Sequence, residues 1–324
     1  MAPEQLFELR RRTFDTPQFH GIEFIEVEAK SIVNPVPGSY LPFNWTINPY
    51  RGCSHACVYC FARVTHTYMD MNAGKDFESK IVVKVNAPEL LRAKLCSRAW
   101  KGEHIAMGTA TDPYQRAEGR YKLMPGIIKA LTEHRNPFSI LTKGTLMMRD
   151  LDLLLAASEV TEVSTAFSIP TMDERAWRAS EPGTPHPRKR MEAVASLNAA
   201  GIPSGVMLAP VLPGLTDDLD GLKRVVDAAV AAGATHVTPI FLHLRPVVRE
   251  EYMRWLEREF PDLVVSYKRL YKRSAYGPKE ARNQLSRTVG ALLDDAGFKP
   301  GAKQLRQRRS ATKRSTEGEQ LTLL

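Results

Sequence analysis

The chain has 324 residues, of which 43% are hydrophobic and 25% are charged, and its formal net charge is +9. These proportions are those of a soluble globular protein and exclude a chain that is disordered over most of its length. The length exceeds the usual size of one domain, but a single large α/β domain with small additions accommodates it. The positive charge makes an anionic partner a hypothesis to test.

Cysteine usage and hydropathy favour a cytoplasmic protein. The first residues, MAPEQLFELRRR, are charged and contain no apolar stretch of the length that a signal peptide carries. No run elsewhere reaches the roughly 18 apolar residues of a membrane span. Three of the four cysteines are clustered, which is not the pattern of a disulfide framework. We therefore expect reduced thiols, a cytoplasmic location and no membrane partner.

The first 42 residues are predicted to form an N-terminal extension over the main domain. Within it, only the alternating stretch from Ile22 to Val27 favours a strand. Phe43 to Asn48 predicts a short strand that leads directly into the segment NPYRGCSHACVYC. A β-branched run from Ile81 to Val85 follows, and a helix is expected to begin at Pro88.

Short apolar runs and helical patterns then alternate along the chain. The runs have the character of strands covered on both faces; they are His104–Gly108, Phe138–Thr142, Val163–Ser168, Gly205–Ala209 and His236–Phe241. The helical patterns cover Met124–Leu131, Leu151–Ala157, Met191–Ala195 and Leu219–Ala229. This alternation predicts an α/β fold whose parallel sheet has six strands, counting the strand before the cysteines. The pattern alone does not separate a partial barrel from a doubly wound sheet.

The C-terminal part is predicted to contain two helices and a tail. One helix covers Glu250 to Phe260, and Gly297 ends the other, whose apolar face consists of Ala281, Leu285, Val289, Leu292 and Ala296. We expect residues 246–298 to form a helical cap over the open side of the domain. Residues 299–324 carry seven basic and two acidic side chains, about half of the charge surplus, and are predicted to be a disordered tail.

Cys53, Cys57 and Cys60 have the spacing C-x3-C-x2-C, with no fourth cysteine nearby. Three thiolates on one short loop suit an iron–sulfur cluster that leaves one iron open to an outside molecule. A structural zinc site needs four ligands, and a ferredoxin-like electron-transfer cluster also takes a fourth thiolate. Cys96 is remote, and His55 lies between two of the cysteines, where it is poorly placed to be the fourth ligand of one tetrahedral site. The residues favour the open cluster and leave these two alternatives open.

The cysteine motif resembles that of the radical S-adenosylmethionine (radical SAM) superfamily. The resemblance implies that the three cysteines ligate a 4Fe–4S cluster, that its free iron binds SAM, and that Tyr59 lies against the adenine. It also implies a (β/α)6 partial TIM barrel as the core, over residues 43–245. The segments GTATDPYQ, TKG, EP and AP-x2-PG are similar to those of an uncharacterised branch akin to spore photoproduct lyase, which includes a mycobacterial family.

Residues just after the strands are the candidates for SAM contacts, because functional loops in parallel α/β folds follow the carboxyl ends of strands. Thr109, Thr111 and Asp112 stand where the superfamily has a Gly-Gly-Glu-like segment that holds the SAM amino group, although Asp-Pro also favours a plain turn. Lys143 follows the third strand, where spore photoproduct lyase-like enzymes have a lysine for the methionine carboxylate. A solvated loop lysine is the alternative.

Three more candidates come from the fourth strand and the segment after it. A buried hydroxyl at Ser168 needs a partner, which a ribose hydroxyl or the neighbouring backbone can supply. The segment EPGTPHPRKR resembles a Glu-Pro…Arg stretch of the same branch, which implies that Glu181 and Arg188 lie near SAM. Arginines at a helix start are equally often surface residues. The turn APVLPGLTDD resembles the one beneath the adenine.

The resemblance implies a radical SAM enzyme of lyase or transferase type. A reductant such as flavodoxin or ferredoxin would supply the electron that cleaves SAM, and the 5′-deoxyadenosyl radical would take hydrogen from an unknown substrate. No catalytic side chain is identified. Cys96 is a candidate hydrogen donor, and the alternative is that it is a buried, inert thiol. The alternative function is a nucleic-acid-binding iron–sulfur protein, or a DNA or RNA repair or modification lyase related to spore photoproduct lyase.

The segment YKRLYKRSAYGPK, Tyr267 to Lys279, alternates tyrosines with basic residues. Basic residues bind phosphates and aromatic rings stack on bases, so the segment suits nucleic acid. The other interpretation is that tyrosines four apart share one helix face and pack on the barrel, while the charges are solvated. Nucleic acid is therefore a hypothetical partner.

Overall fold

The computed structural model describes residues 10–36 and 41–299. Parts of the predicted N-terminal extension and all of the predicted tail after Lys299 lie outside the described residues. Within residues 10–36 and 41–299, no helix combines the length and the apolar character needed to cross a bilayer.

Eleven strands are found in the described part of the chain: β1 (Arg10–Thr13), β2 (Glu23–Val27), β3 (Val33–Pro35), β4 (Trp45–Ile47), β5 (Tyr50–Arg51), β6 (Lys80–Lys84), β7 (Ile105–Met107), β8 (Phe138–Thr142), β9 (Val163–Ser168), β10 (Ser204–Val211) and β11 (Val237–Phe241). Every predicted strand is present, with shifts of at most a few residues at the ends.

The same residues form twelve α-helices: α1 (Val64–Thr67), α2 (Lys75–Ser79), α3 (Ala87–Cys96), α4 (Arg116–Tyr121), α5 (Leu123–Glu133), α6 (Leu151–Ser158), α7 (Glu174–Ser180), α8 (Pro187–Ala199), α9 (Leu219–Ala231), α10 (Pro246–Glu259), α11 (Val264–Leu270) and α12 (Lys279–Asp295). Short 3-10 helices cover Phe61–Arg63, Thr145–Asp150 and Pro261–Leu263.

The main sheet has seven strands in the order β11-β10-β9-β8-β7-β4-β3. Six of them, β4 and β7 to β11, pair in parallel, while β3 runs antiparallel to β4 at one edge. Within this sheet the strands are arranged in the order in which they occur in the chain, so the order never reverses as it does in a doubly wound sheet. The six parallel strands confirm the predicted α/β fold of the (β/α)6 partial-barrel type.

Alternation along β8 shows how the strands place residues at the carboxyl edge of the sheet. Phe138, Ile140 and Thr142 are buried, and Leu141 is half-buried. Phe138 and Ile140 pack in the main hydrophobic core with the helices, where burial of one such side chain stabilises the fold by about 1.5–3 kcal/mol. Successive side chains point to opposite faces of a strand. Lys143 therefore lies on the same face as Leu141, opposite the face that carries Phe138, Ile140 and Thr142.

A second sheet, with the order β1-β2-β6-β5, joins the N-terminal segment to the main domain. In it β2 pairs in parallel with β6, and β6 pairs antiparallel with β5. Since β5 ends at Arg51, two residues before Cys53, this sheet fixes the point at which the chain enters the cysteine segment.

The helices after β11 pack in two places. Tyr252 and Trp255 of α10 share a hydrophobic cluster with Cys57 and Tyr59, so this helix covers the cysteine segment. In contrast, α12 packs on α9 and β11 at the outer side of the sheet. Tyr267 and Tyr271 are buried in the same cluster as Tyr252, which confirms the packing interpretation for these two tyrosines.

Candidate active site

Residues 52–60 form an irregular loop, here called the cysteine loop. Cys53 and Cys57 are buried, and Cys60 is half-buried. The loop folds back on itself, because the backbone N–H of Ala56 donates to Cys53 O at 3.2 Å and that of Cys60 donates to Cys57 O at 3.2 Å. Cys96 is exposed at the end of α3, with Sγ 3.2 Å from His134 Nε2, and takes no part in the loop.

The Arg63 side chain donates hydrogen bonds to the backbone of the cysteine loop. This side chain is only 3% exposed, and its guanidinium donates to Cys57 O at 2.9 and 3.1 Å and to Ala56 O at 3.3 Å. Further bonds go to Ala73 O at 3.1 Å and Gly74 O at 3.0 Å. An irregular loop leaves carbonyl groups that helices and strands would have satisfied. Arg63 supplies those partners and so makes the loop rigid.

The segment after β7 also forms hydrogen bonds with the backbone of the cysteine loop. Gln115 is fully buried; its Nε2 donates to Gly52 O at 2.9 Å, and its Oε1 accepts from the Ser54 N–H at 2.9 Å. The Thr111 hydroxyl donates to the same Gly52 carbonyl at 2.7 Å. Thus part of the segment predicted to face SAM positions the cysteine loop. Gln115 was not among the predicted site residues.

The three thiols suit a metal cluster chemically. Burial raises the pKa of Cys53, Cys57 and Cys60, and for Cys53 the neighbouring Asp112 and the other two thiols raise it further. Thiolates at these positions therefore need a strong positive partner, which iron supplies. Among the described residues, no three His, Cys, Asp or Glu side chains are grouped to hold a single metal ion; a four-iron cluster takes its thiolates at separate irons. The donor set fits such a cluster.

A buried polar network centred on Glu181 adjoins the cysteine loop. Glu181 Oε2 accepts from Arg190 at 2.6 Å, and Oε1 accepts from Lys143 Nζ at 2.7 Å. The Tyr59 hydroxyl donates to the same carboxylate. Lys143 Nζ also donates to Ser168 Oγ at 2.7 Å. The structure thus brings four of the predicted residues, Tyr59, Lys143, Ser168 and Glu181, into direct contact.

The charges of this network determine the ionisation of Glu181. Complete burial would raise the pKa of its carboxyl group, but the Arg190 guanidinium and the Lys143 ammonium outweigh burial and lower that pKa to about 2. The reverse holds for Tyr59, since burial and the Glu181 carboxylate raise the pKa of its hydroxyl. At neutral pH the site therefore contains an ionised carboxylate and a neutral tyrosine.

Of the two arginines that open α8, the structure brings Arg190 to the site and leaves Arg188 outside it. Arg190 is fully buried and also donates from Nη1 to Ser168 O at 2.7 Å. Arg188 is exposed. Arg190 shares the inward face of α8 with Met191 and Val194, as the helical spacing of three and four residues requires. The apolar residues predicted for this helix already defined its buried face, and Arg190 lies on that face. The sequence therefore contained the signal that identifies Arg190 as the buried arginine.

Asp112 lies at the edge of the site with its carboxylate occupied by protein groups. Oδ1 accepts from the Thr142 hydroxyl at 2.6 Å and from the Tyr114 N–H at 2.9 Å, while Oδ2 accepts from the Lys143 N–H at 2.6 Å. His55 Nδ1 lies 3.3 Å from Oδ2. Despite its burial, these neighbours lower the pKa of Asp112. Its carboxylate therefore fixes the backbone that carries Lys143.

Thr109 and Ser168 differ in how their hydroxyls are used. Thr109 is half-buried, and its hydroxyl lies 3.4 Å from Asn48 Nδ2. Ser168 Oγ accepts from Lys143 and donates to Ala209 O at 2.6 Å. The backbone partner considered for Ser168 is therefore present.

Gly183 closes the contact between the cysteine loop and the Glu181 segment. Its N–H donates to His55 O at 3.0 Å. A Cβ at this position would lie 2.2 Å from Ser54 O, far inside van der Waals contact. Only glycine permits this approach, so the two halves of the site meet backbone to backbone.

Comparison with known proteins identifies the family. A family model for the Radical SAM superfamily matches residues 47–226, more than half of the chain. Uncharacterized protein Rv2578c from Mycobacterium tuberculosis is 50% identical over 283 residues, which cover 87% of this chain and 83% of that protein. Uncharacterized protein MJ0683 from Methanocaldococcus jannaschii is 30% identical over 259 residues, covering 78% of this chain and 90% of that protein.

Solved structures with a similar fold agree with the family model. Spore photoproduct lyase complexed with dinucleoside spore photoproduct superposes with a TM-score of 0.61 over 84% of this chain and 79% of that chain, at 17% identity. A variant of that lyase with bound AdoMet and the same dinucleoside has a TM-score of 0.61 at 18% identity, over 83% and 78% of the chains. The chain therefore belongs to the Radical SAM superfamily, whose enzymes use a 4Fe–4S cluster and S-adenosylmethionine with a reductant and a substrate.

Proposed function

We propose that the three thiolates of the cysteine loop ligate the 4Fe–4S cluster and that SAM binds between its free iron and the Glu181 network. The supporting observation is that this buried network touches the loop through the Tyr59 hydroxyl. The buried Glu181 carboxylate is paired with one buried cation, Arg190, and one half-buried cation, Lys143. Buried ion pairs of this kind often contribute little net stability, so stabilising the fold does not by itself account for the network. Perturbed ionisable groups beside a cluster-binding loop favour a functional site.

The bound cluster and SAM would supply a reductively generated 5′-deoxyadenosyl radical, which takes hydrogen from the substrate. The protein's own residues bind and orient. Lys143 has three N–H donors, of which Ser168 and Glu181 use two, so the third is available for the SAM carboxylate. Glu181 fixes the Tyr59 ring through its hydroxyl, and this ring is the proposed neighbour of the adenine. Asp112 and Ser168 are positioning residues for Lys143.

Replacing Lys143 by alanine is expected to weaken SAM binding while leaving the cluster in place. Loss of a hydrogen bond to a charged group costs on the order of 1.5–3 kcal/mol, roughly ten- to hundredfold in affinity. Isothermal titration of SAM into anaerobically reconstituted Lys143→Ala protein measures this loss, and the iron–sulfur absorbance reports the cluster.

Arg188→Ala is the matched control for Lys143→Ala. It removes an exposed cation at the start of α8, so SAM affinity should stay within experimental error of the wild type. If Arg188→Ala weakened SAM binding and Lys143→Ala did not, the proposed placement of the SAM carboxylate would be wrong.

The reductant is proposed to be a flavodoxin or ferredoxin, acting in the cytoplasm, where thiols remain reduced. A cleft of about 1040 Å³ lies over Ala56 and Val58 of the cysteine loop. Arg175, Arg178 and Arg258 line it together with three glutamates. Because this cleft reaches the cysteine loop, it is the proposed docking surface of the reductant.

A nucleic-acid substrate is the second proposal, and exposed cations in α11 and just after it support it. Lys268, Arg269, Lys272 and Arg273 are exposed, as phosphate contacts require. Tyr267 is buried and cannot stack on a base, so any stacking surface must lie elsewhere. The dinucleoside spore photoproduct is a ligand of spore photoproduct lyase, which keeps a repair or modification lyase as a candidate function here.

A further inference from the structure

Three aromatic rings from distant parts of the chain form a stack beside the cysteine loop. Phe61 directly follows Cys60, and its ring centre lies 5.7 Å from that of His243. Tyr276 also stacks on His243, with ring centres 5.6 Å apart and an interplanar angle of 26°. We call Phe61, His243 and Tyr276 the ring stack.

The ring stack joins the two ends of the parallel sheet. Phe61 belongs to the connection after β4, the first parallel strand, whereas His243 follows β11, the last one. Backbone pairing fixes its far side, because His243 forms a β-bridge with Tyr276 and the Leu244 N–H donates to Ala275 O at 2.7 Å. The stack therefore spans the open side of the partial barrel, where a large substrate would enter.

Phe61 leaves part of its ring exposed to solvent. It is 44% exposed, and it is one of five exposed large hydrophobic side chains in the described part of the chain. Desolvation of the apolar ring favours its burial, so an exposed phenylalanine next to a proposed cluster ligand is not explained by packing. The ring is held in place by His243 and offers a rigid surface to a planar group.

Two arginines that have no carboxylate partner among the described residues lie close to the ring stack, Arg282 at Tyr276 and Arg245 at His243. The Arg282 guanidinium carbon is 6.0 Å from the Tyr276 ring centre, and its buried Nε has no hydrogen-bond partner. Within residues 10–36 and 41–299, neither Arg282 nor Arg245 has a carboxylate partner. Burial and Arg245 lower the pKa of His243, so the histidine ring is neutral at pH 7. The arginines therefore supply the local charge.

We propose that the ring stack binds a base of single-stranded nucleic acid, and that Arg282 and Arg245 bind the adjoining phosphates. An aromatic face with nearby cations is the combination that single-stranded nucleic acids require. The exposed Lys272 and Arg273 precede Tyr276 in the chain by four and three residues and add positive charge to this part of the surface. An aromatic peptide side chain would use the rings but leave both guanidinium groups without an anion. As the substrate site of the enzyme, the ring stack rests on the proposed function.

The test is the affinity of the full-length, cluster-loaded protein for a fluorescein-labelled oligothymidylate of about twelve nucleotides, measured by anisotropy in about 150 mM salt. Phe61→Ala is expected to weaken binding roughly tenfold, the loss of one stacked base. Tyr68→Ala is the matched control, since Tyr68 is an aromatic residue of the same region that is 74% exposed, and it should bind like the wild type.

Arg282→Ala provides a second, independent variant, with the exposed Arg287 of the same helix as its control. It should weaken oligothymidylate binding roughly fivefold, as the loss of one phosphate contact predicts, while Arg287→Ala should not. Inorganic polyphosphate carries charge but no bases, so its affinity should fall in Arg282→Ala and stay unchanged in Phe61→Ala.

The inference is overturned if the wild type does not bind the oligothymidylate, if Phe61→Ala and Tyr68→Ala bind it equally, or if Phe61→Ala weakens polyphosphate as much. Formation of 5′-deoxyadenosine by the wild type without oligonucleotide separates the two proposals. A protein that forms it but fails the binding test keeps the proposed function and loses the ring stack. One that binds through Phe61 yet forms none loses the proposed function.

Discussion

Alanine at Cys53, Cys57 or Cys60 is expected to abolish the iron–sulfur absorbance at roughly 400 nm in reconstituted protein, because a cluster held by three thiolates cannot spare one. The effect should be all or none at each position. Iron and sulfide analysis on the same samples should fall in parallel. Folding should be retained, since Arg63 and Gln115 hold the loop through backbone groups rather than through the thiols.

Cys96→Ala is the control, because this thiol is exposed and remote from the cysteine loop. It should keep the full absorbance and iron content. If Cys96→Ala lost the cluster, or if any one of the three loop variants kept it, the proposed ligand set would be wrong.

Arg190→Ala is expected to destabilise the fold by about 3–5 kcal/mol, because it leaves the Glu181 carboxylate buried without its closest cation. The pair has Nη2 and Oε2 2.6 Å apart, with both side chains 0% exposed. Urea unfolding of the cluster-free protein, followed by circular dichroism, measures the change in the free energy of unfolding.

Arg188→Ala serves as the matched control two residues away on the same helix. This exposed position should change the free energy of unfolding by no more than about 0.5 kcal/mol. Equal midpoints for the two variants would mean that the buried pair does not carry the stability ascribed to it. A larger loss in Arg188→Ala would reverse the assignment of the two arginines.

Local sequence patterns were sufficient to predict the six parallel strands of the main sheet, but not its antiparallel edge strand β3. The strands Phe138–Thr142 and Val163–Ser168 have the predicted bounds, since short apolar runs between amphipathic helices leave few other choices. The helix α7 was not predicted. It has only seven residues, although the Asp173 side chain accepts from the Ala176 N–H as an N-cap, which is a recognisable start signal.

The second sheet was beyond local patterns. The strand at Glu23–Val27 was predicted, but its parallel partner is β6, more than 50 residues later. Pairing over such a distance depends on the whole fold rather than on the alternation within either strand. The same limit applied to Gln115, whose hydrogen bonds to Gly52 and Ser54 exist only because two loops meet.

The chemistry of the site was predicted more fully than its geometry. Motif resemblance identified Tyr59, Lys143 and Glu181, which the structure brings into one network. It selected Arg188, whereas the arginine that the structure brings to Glu181 is Arg190, because both occur in the same motif and only the helix face separates them. For Tyr267 and Tyr271 the spacing of four residues favoured packing on one helix face, and both are buried.

Formation of 5′-deoxyadenosine tests the central claim most directly. The full-length protein is reconstituted anaerobically, reduced with dithionite, mixed with SAM, and analysed by chromatography with mass detection. The wild type is expected to release 5′-deoxyadenosine and methionine in equal amounts, and Cys57→Ala should release neither. A wild-type protein that contains its cluster, binds SAM and is fully reduced, yet forms no 5′-deoxyadenosine, would contradict the assignment of this site to reductive SAM cleavage.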